Sequence, residues 1–146
     1  MRLRLMTEGD YDALMELWLH TPGMGLNRQD DSPEGLAAYL RRNPATCFVA
    51  EENGRLVGEI MAGHDGRRGM IHHTAVRQDA QGRGVGRALV DAALDALRAE
   101  GIRKVFLVAF ARNEGGNAFW ERMGFTARTD LVYRNRALAE MERIDT

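Results

Sequence analysis

Two neighbouring features of this 146-residue chain have residue types and spacing suited to chemistry. One is a glycine-dense stretch from Gln81 to Ala88, which runs directly into an amphipathic helical pattern. Glycine lets the backbone approach a ligand without a Cβ atom in the way, and the first N–H groups of a helix can bind an anion because they have no partner within it. The other is the pair His72 and His73, whose imidazoles have an ordinary pKa of about 6.5 and can accept a proton near neutral pH. We therefore expect a phosphorylated ligand beside a proton acceptor.

The glycine stretch fits neither of two common nucleotide-binding motifs. A Rossmann fingerprint would need glycine where Arg87 stands and would follow the first strand of a βαβ unit. A P-loop would need Gly-Lys followed by Ser or Thr, which is absent here. The turn therefore belongs to another kind of anion site, although a different nucleotide-binding α/β protein stays open as an alternative.

Hydrophobic periodicity and turn residues predict the elements that position these groups. Strands are expected at residues 1–6, 47–50, 56–60, 70–76, 105–110 and 131–133, and helices after Thr7, after Ser32 through about Asn43, from the glycine turn to Gly101, and over 116–123. Asn53-Gly54 predicts a type I′ hairpin turn. The continuous apolar run at 105–110 predicts a central strand covered on both faces. This order indicates a mixed α/β fold.

Length, charge and cysteine content narrow the class of protein. A chain of 146 residues is expected to form a single domain, residues 1–146, with its own core. The net charge of −1 argues against nucleic acid as a partner. The lone cysteine, Cys47, provides neither an internal disulfide nor a cysteine metal site, which suits the cytoplasm. No apolar run approaches the roughly 20 residues of a membrane span, so no membrane partner is expected.

The glycine turn and a second motif resemble one known family. Gln81-x-x-Gly84-x-Gly86, joining a fourth predicted strand to a long helix, is similar to the acetyl-CoA pyrophosphate loop of the GNAT acetyltransferase superfamily. Asn113, seven residues before Trp120, and the segment 119–125 resemble its Asn, aromatic, Gly-Phe signature. The resemblance covers essentially the whole chain. It implies the GNAT fold, an α/β fold with a central, mostly antiparallel sheet, one parallel strand pair splayed at the acetyl-CoA site, and about four helices.

The resemblance also implies which residues bind acetyl-CoA as co-substrate, with no metal. Backbone groups of Thr74 and Val76 would pair with the pantetheine arm like an added strand. Asn113 would hold the same arm, cap the next helix, or do both. The remaining cofactor residues implied are those of the turn and of the aromatic motif: Gln81, Gly82, Arg83, Gly84, Val85, Gly86, Arg87, Phe119 and Trp120.

Direct acetyl transfer to an amine needs a base, an oxyanion donor and a proton for the leaving thiolate. Because side chains alternate along a strand, at most one histidine is expected to reach the acceptor, His73 before His72, unless a β-bulge changes their directions. A mechanism that needs neither histidine stays open. The Val76 N–H is the implied oxyanion donor.

The leaving thiolate lacks the family's usual acid, because Trp120 stands where many members have a tyrosine. Either Tyr133 on the last strand donates the proton, or the thiolate leaves unaided. Two further residues have a chemical alternative beside a plain structural interpretation. Glu59 is taken as a solvated strand residue rather than a base acting through water, and Cys47 as a buried small hydrophobe rather than a carrier of the acetyl group.

The acceptor is expected to be an amine of a small molecule or of a peptide, in a site walled by the loop at residues 21–32. Asp30 or Asp31 in that loop would attract a cationic amine or simply favour the helix N-terminus that follows. The predicted function is N-acetyltransferase, with a non-catalytic acetyl-CoA-binding sensor as the alternative. A homodimer paired through an edge strand is a further expectation.

Overall fold

A five-stranded mixed sheet forms the centre of the protein, in a computed structural model that describes residues 1–145. The strands lie in the order β1 to β5, with antiparallel neighbours except for the parallel pair of β4 and β5. The strands are β1 (Arg2–Leu5), β2 (Phe48–Glu52), β3 (Arg55–His64), β4 (Gly69–Val76) and β5 (Val105–Leu107), and the helices are α1 (Tyr11–Leu19), α2 (Pro33–Arg42), α3 (Val85–Ala99) and α4 (Glu114–Arg122). The predicted α/β fold with four helices is confirmed.

Local sequence signals account for most of the element boundaries. Ser32 caps α2 by accepting a hydrogen bond from the Gly35 N–H at 3.0 Å, as its position before Pro33 predicts. Asn53 and Gly54 have φ angles of 53° and 72°, which is the backbone of the expected type I′ turn between β2 and β3. The turn thus joins β2 to β3 as a hairpin, and the Ser32 cap marks the start of α2.

The sheet has an apolar core on each face. Helix α3 covers one face, where Leu89 and Val90 pack against Ile60 and Ile71. Helices α1 and α2 cover the other, where Trp18 and Leu36 belong to a cluster that includes Val49, Met61 and Ala75. On the α1–α2 face of β4, Ala75 is buried, whereas His72 is exposed beside Tyr39.

Two predictions about the C-terminal part of the sheet are wrong. The expected strand over 105–110 is limited to β5, and it forms the edge of the sheet rather than its centre. The expected strand around 131–133 is absent, since residues 125–142 form neither helix nor strand. With no strand beyond β5, Phe106 and Val108 stay about half exposed, and Tyr133 is 66% exposed. A β-rich sequence becomes a strand only where a partner edge completes its hydrogen bonds.

The C-terminal segment instead lies against the loop between α1 and α2. Arg143 forms an isolated antiparallel bridge with Asn27. The Ile144 N–H donates to the Leu26 carbonyl at 2.9 Å, and the Arg28 N–H donates to the Glu142 carbonyl at 2.7 Å. This segment therefore builds a wall beside the loop that sequence patterning assigned to the acceptor site.

Candidate active site

Strand β4 opens away from β5 halfway along its length. Pairing between the two strands ends at Ile71 and Leu107, so the β4 backbone from His72 to Val76 has no β5 partner. The Oγ1 atom of Thr74 is buried there without a hydrogen-bond partner, among the residues the structure describes. Unpaired strand edges bind extended groups through main-chain hydrogen bonds, so the opening fits the pantetheine arm expected beside Thr74 and Val76.

A β-bulge lies at His72, in the same part of β4. Met61 of β3 faces His73 and the next residue, Ala62, faces Ile71, which leaves His72 as the extra residue. As a result Ile71 belongs to the core under α3, while His73 contacts Trp18 on the other face. The bulge therefore changes the simple alternation of side chains along the strand, and both His72 and His73 line the same cavity.

The glycine turn leaves β4 and enters α3 with its backbone amides exposed. Gly82 and Gly84 have φ angles of 76° and 85°, which favour glycine, and Gly84 is the N-cap of α3. The Gln81 side-chain amide donates to the Val76 carbonyl at 3.1 Å and so fixes the turn to the end of β4. A Cβ atom on Gly86 would lie 3.2 Å from the Phe119 ring, so glycine allows α4 to approach the turn closely. The arrangement fits a pyrophosphate at a helix N-terminus.

The two arginines of the turn are exposed at its surface. Arg83 forms an ion pair with Glu52 at 2.8 Å, and its side chain is half exposed. Arg87 is also exposed, on the first turn of α3. The Arg83 guanidinium is thus paired with Glu52, whereas Arg87 is exposed on the turn that enters α3.

A cavity of about 860 Å³ lies beyond the opened end of β4. It joins the histidines to the loop between α1 and α2, to the end of β5, to the aromatic motif of α4 and to the C-terminal segment. Its lining comprises residues 21–27, Asp30, 71–74, 107–110, Asn113, Trp120, Tyr133, 135–137, Met141 and Arg143. The acceptor loop, both candidate bases and the candidate acid Tyr133 thus share one space.

Asn113 and Trp120 occupy the positions at which the family motif places its functional residues. Asn113 caps α4, since its Oδ1 accepts from the Gly116 N–H at 3.0 Å. Its cap role uses the carbonyl oxygen and leaves the amide NH₂ to face the cavity side. The Trp120 ring packs edge-on between Phe119 and Phe125, at 5.0 and 5.3 Å between centroids. A rigid aromatic wall results, which has no hydroxyl to donate a proton.

A buried polar network lies behind His73. Its Nε2 is 2.8 Å from Asp31 Oδ1, and its ring contacts Trp18 edge-on with 4.9 Å between centroids. The Trp18 indole N–H donates to Glu59 Oε1 at 2.9 Å, while Glu59 Oε2 is buried with no partner among the described residues. The interpretation of Glu59 as a solvated residue is wrong: its side chain is fully buried, because β3 places it on the α1–α2 face.

The network shifts the proton affinities of three groups. Desolvation raises the pKa of Glu59 to about 7, against the opposing effects of His73 and of the Trp18 hydrogen bond. Burial alone would lower the pKa of His73, but the Asp31 hydrogen bond and the Glu59 charge raise it above its usual value. Desolvation, aided by the nearby His73, lowers the pKa of His72. His73 is therefore the stronger base of the pair.

The raised pKa of Glu59 predicts a pH-dependent stability. A carboxyl group with a higher pKa in the folded state stabilises the fold fully below about pH 4.5 and loses that contribution as the pH rises through about 7. At about 1.4 kcal/mol per pH unit, the loss between pH 4.5 and 8 is about 3 kcal/mol. We expect Glu59→Gln to remove most of that loss in urea unfolding at pH 5 and pH 8. The exposed control Glu121→Gln should leave it unchanged, and equal pH dependence in both variants would contradict the assignment.

Cys47 offers no covalent route for the acetyl group. Its side chain is buried and its Sγ donates to the Ala62 carbonyl at 3.2 Å. Burial raises the pKa of the thiol to about 12, so the nucleophilic thiolate is scarce. The plain interpretation of Cys47 as a small core residue agrees with this environment.

Comparison with known proteins decides the family. A family model described as "Acetyltransferase (GNAT) family" matches residues 11–125, well over half of the chain. The chain belongs to the GNAT family of acetyltransferases. It is 29% identical over 143 residues to an acetyltransferase of Pectobacterium atrosepticum, covering 97% of this chain and 99% of the relative.

Solved GNAT structures resemble the whole arrangement. Ard1 from Thermoplasma volcanium superposes with a TM-score of 0.76 at 21% identity, covering 86% of this chain and 82% of Ard1, and so shows the same fold. YncA from Salmonella typhimurium, described as an acetyltransferase and solved with its cofactor acetyl-CoA, superposes with a TM-score of 0.70 at 27% identity, covering 86% and 79% of the two chains. This GNAT protein is therefore an acyltransferase by family as well as by fold.

Sequence patterns point to the glycine turn and the aromatic motif of this GNAT chain, but no such pattern identifies the buried network. Asp31 and Glu59 are separated from His73 by 42 and 14 residues, and no local pattern links them. The signal that was available is the placement of a carboxylate at Glu59 within an apolar strand sequence, where an unpaired charge is costly. Within residues 1–145, no helix is long and apolar enough to cross a membrane, and no cluster of metal-binding side chains is found.

Proposed function

We propose that this GNAT protein transfers the acetyl group of acetyl-CoA to an amine of a small molecule or of a peptide, in the cytoplasm. The observation that carries the proposal is the opened edge of β4, which connects the glycine turn at one end with the cavity containing His73 at the other. Acetyl-CoA laid along this edge supplies the acetyl thioester at the cavity. The site of phosphate binding and the candidate base are then joined by one continuous path.

Donor binding is assigned to main-chain groups and to one flanking side chain. The Ala88 N–H donates to the Gly84 carbonyl at the start of α3. The backbone N–H groups of the turn before it would hold the pyrophosphate, because a helix N-terminus presents unpartnered donors. The unpaired backbone at Thr74 would hold the pantetheine arm, with the Asn113 amide on its other side. At Val76 the N–H alone is left for the cofactor, because the Gln81 amide occupies the carbonyl. These are residues that the family motif implies, and the opened edge of β4 beside the glycine turn supports their assignment to the donor.

Acetyl transfer then needs a neutral amine and a stabilised oxyanion. We assign the amine proton to His73, whose raised pKa makes it the better acceptor of the two cavity histidines. The free Val76 N–H is the candidate donor to the thioester oxygen. Together these groups would deprotonate the attacking amine and stabilise the charge that develops on the acyl oxygen.

The acceptor cavity contains both signs of charge. Asp30 lines it from the loop before α2, and Arg136 and Arg143 line it from the C-terminal segment. A cationic amine would be drawn towards the acidic side, and it must lose a proton before attack. Small amines and peptide N-termini both fit a cavity of about 860 Å³.

Calorimetry with acetyl-CoA, followed by thiol release across a broad panel of amines, tests the proposal. Binding with amine-dependent thiol release is the expected result. Binding without turnover by any amine would favour the sensor alternative, and absence of binding would refute both. Size-exclusion chromatography with light scattering would test the proposed homodimer, for which β1 and β5 provide the sheet edges.

Tyr133 is proposed to assist the departing thiolate, with a modest effect. Its side chain lines the cavity but is 66% exposed and lies on no strand, so water has access to the same region. A thiol has a reference pKa of only about 8.5, so unassisted departure is not costly. We expect Tyr133→Phe to lower kcat by less than about 10-fold, a small part of the range for acid catalysis. A loss above 100-fold in steady-state assays would contradict this minor role.

A further inference from the structure

The buried contact between Asp31 and His73 has a chemical consequence beyond the assignment of a base. His73 Nε2 lies 2.8 Å from Asp31 Oδ1, and the side chains of the two residues are only 12% and 4% exposed. Asp31 does not line the cavity, whereas His73 does. The Nε2 atom of the ring therefore faces the buried carboxylate, and Nδ1 is the ring nitrogen that this contact leaves available.

Asp31 is itself held in place by contacts from two parts of the chain, its own loop and α1. Its Oδ2 accepts from the Asn27 N–H at 2.9 Å, and its backbone carbonyl accepts from the Tyr11 hydroxyl at 2.7 Å. The residue also directly precedes the Ser32 cap of α2. A carboxylate fixed by contacts of this kind can fix its partner, because each hydrogen bond has a defined direction.

We propose that Asp31 is a positioning residue for acetyl transfer: it holds His73 in the tautomer with the proton on Nε2, so that Nδ1 is the nitrogen that accepts the amine proton. When Nδ1 takes that proton, the ring becomes a cation stabilised by the Asp31 carboxylate at Nε2. The proton leaves the ring to solvent after the acetyl group has moved. The catalytic role of Asp31 rests on the proposed function. Its effect on the His73 tautomer does not, and it can be measured in the protein without substrate.

The charged groups near His73 set its pKa, and with it the pH at which the ring becomes neutral. Asp31 contributes from the loop before α2, Glu59 from β3 and Asp145 from the C-terminal segment, and all three raise the pKa of His73. The adjacent His72 is the remaining titratable neighbour, and its own proton affinity is low. Removal of Asp31 must therefore lower the pKa of His73, and activity that needs neutral His73 should persist to lower pH.

The decisive experiment is a long-range ¹H–¹⁵N NMR titration of the histidines in the free protein, repeated for Asp31→Asn. Resonances are assigned with His73→Gln. We expect the wild-type ring to carry its proton on Nε2, and the variant to titrate at lower pH with that tautomer no longer dominant. Asp30→Asn is the matched charge control for this titration, since the Asp30 charge acts on His72 rather than on His73.

Kinetics then test the catalytic part of the role. For Asp31→Asn we expect a fall in kcat at the optimum of about 10- to 100-fold, as when the outer partner of a functional histidine is removed. The acid limb of the pH–rate profile should move to lower pH, which a merely structural defect would not cause. Glu59→Gln should lower the pKa of His73 but keep the Nε2 tautomer, because it leaves the Asp31 contact intact. It is the second variant for the titration if Asp31→Asn does not fold.

The outcomes separate this inference from the proposed function. Absence of thiol release by the wild-type protein with all amines would refute the proposed function, and the catalytic role of Asp31 with it. Normal thiol release combined with an unchanged His73 titration in Asp31→Asn would refute the positioning role alone. A wild-type ring protonated on Nδ1 would also overturn it, whichever residue proved to be the base.

Discussion

Replacing His73 with glutamine is expected to lower kcat by about 10²- to 10³-fold, within the range for loss of a general base. Glutamine can still donate a hydrogen bond to Asp31, so the packing beside Trp18 should survive, but it cannot accept the proton of the amine. The dissociation constant for acetyl-CoA should stay within about twofold, because the donor path lies along the β4 backbone. Stopped assays of thiol release and calorimetry on the same preparations give the two quantities.

Two histidine variants serve as comparisons for that result. His20→Gln, on the exposed end of α1, removes an imidazole outside the cavity and should leave kcat unchanged. His72→Gln should cause a smaller loss than His73→Gln, since the His72 ring packs edge-on against Tyr39 at 5.3 Å and has a lowered pKa. A greater loss from His72→Gln would instead assign the base to the bulged residue.

Replacing Gly84 with alanine is expected to weaken acetyl-CoA binding by about 10- to 100-fold. Gly84 has a φ of 85°, where an L-residue costs about 1 to 2 kcal/mol, and a Cβ atom would project from the N-cap at which the pyrophosphate is proposed to bind. Loss of one charge-assisted hydrogen bond, at about 1.5 to 3 kcal/mol, gives a change of this size. Isothermal titration calorimetry measures the dissociation constant directly.

The chain contains a matched control for this substitution at the other end of the same helix. Gly101 has the same φ of 85° and, like Gly84, has open space around its would-be Cβ atom. Gly101→Ala should therefore reduce thermal stability by a similar amount while leaving acetyl-CoA affinity intact. Equal affinities in the two variants would mean that the turn before α3 does not hold the donor.

The elements around the donor path could be predicted because their signals are local. Gly84 and Gly86 precede a regular apolar stripe, Ser32-Pro33 marks a helix start, and Asn53-Gly54 marks a hairpin. Each depends on residues within a few positions of one another, so one sequence suffices to find them. The family resemblance predicts a parallel strand pair that opens part-way along its length. The parallel pairing of β4 with β5 ends at Ile71 and Leu107, as that prediction requires.

The arrangement of residues around His73 depends on contacts that no local pattern specifies. The burial of Glu59 follows from which face of β3 meets Trp18, and the role of Asp31 follows from a contact with His73 across 42 residues. The bulge at His72 is set by the register of β3 against β4. Residues 131–133 have the composition of a strand, but pairing decides strands, and the segment after them packs on the loop at residues 26–28 instead.

The central claim is that one path joins a donor held by the glycine turn to an amine deprotonated at His73. Mass spectrometry of a reaction with isotopically labelled acetyl-CoA and an amine substrate from the panel tests it most directly. We expect labelled N-acetylated amine in proportion to the thiol released. Both products should fall together in His73→Gln. In Gly84→Ala both should fall when the acetyl-CoA concentration is low, because binding is weakened. Thiol release without acetylated amine, or full activity in both variants, would contradict it.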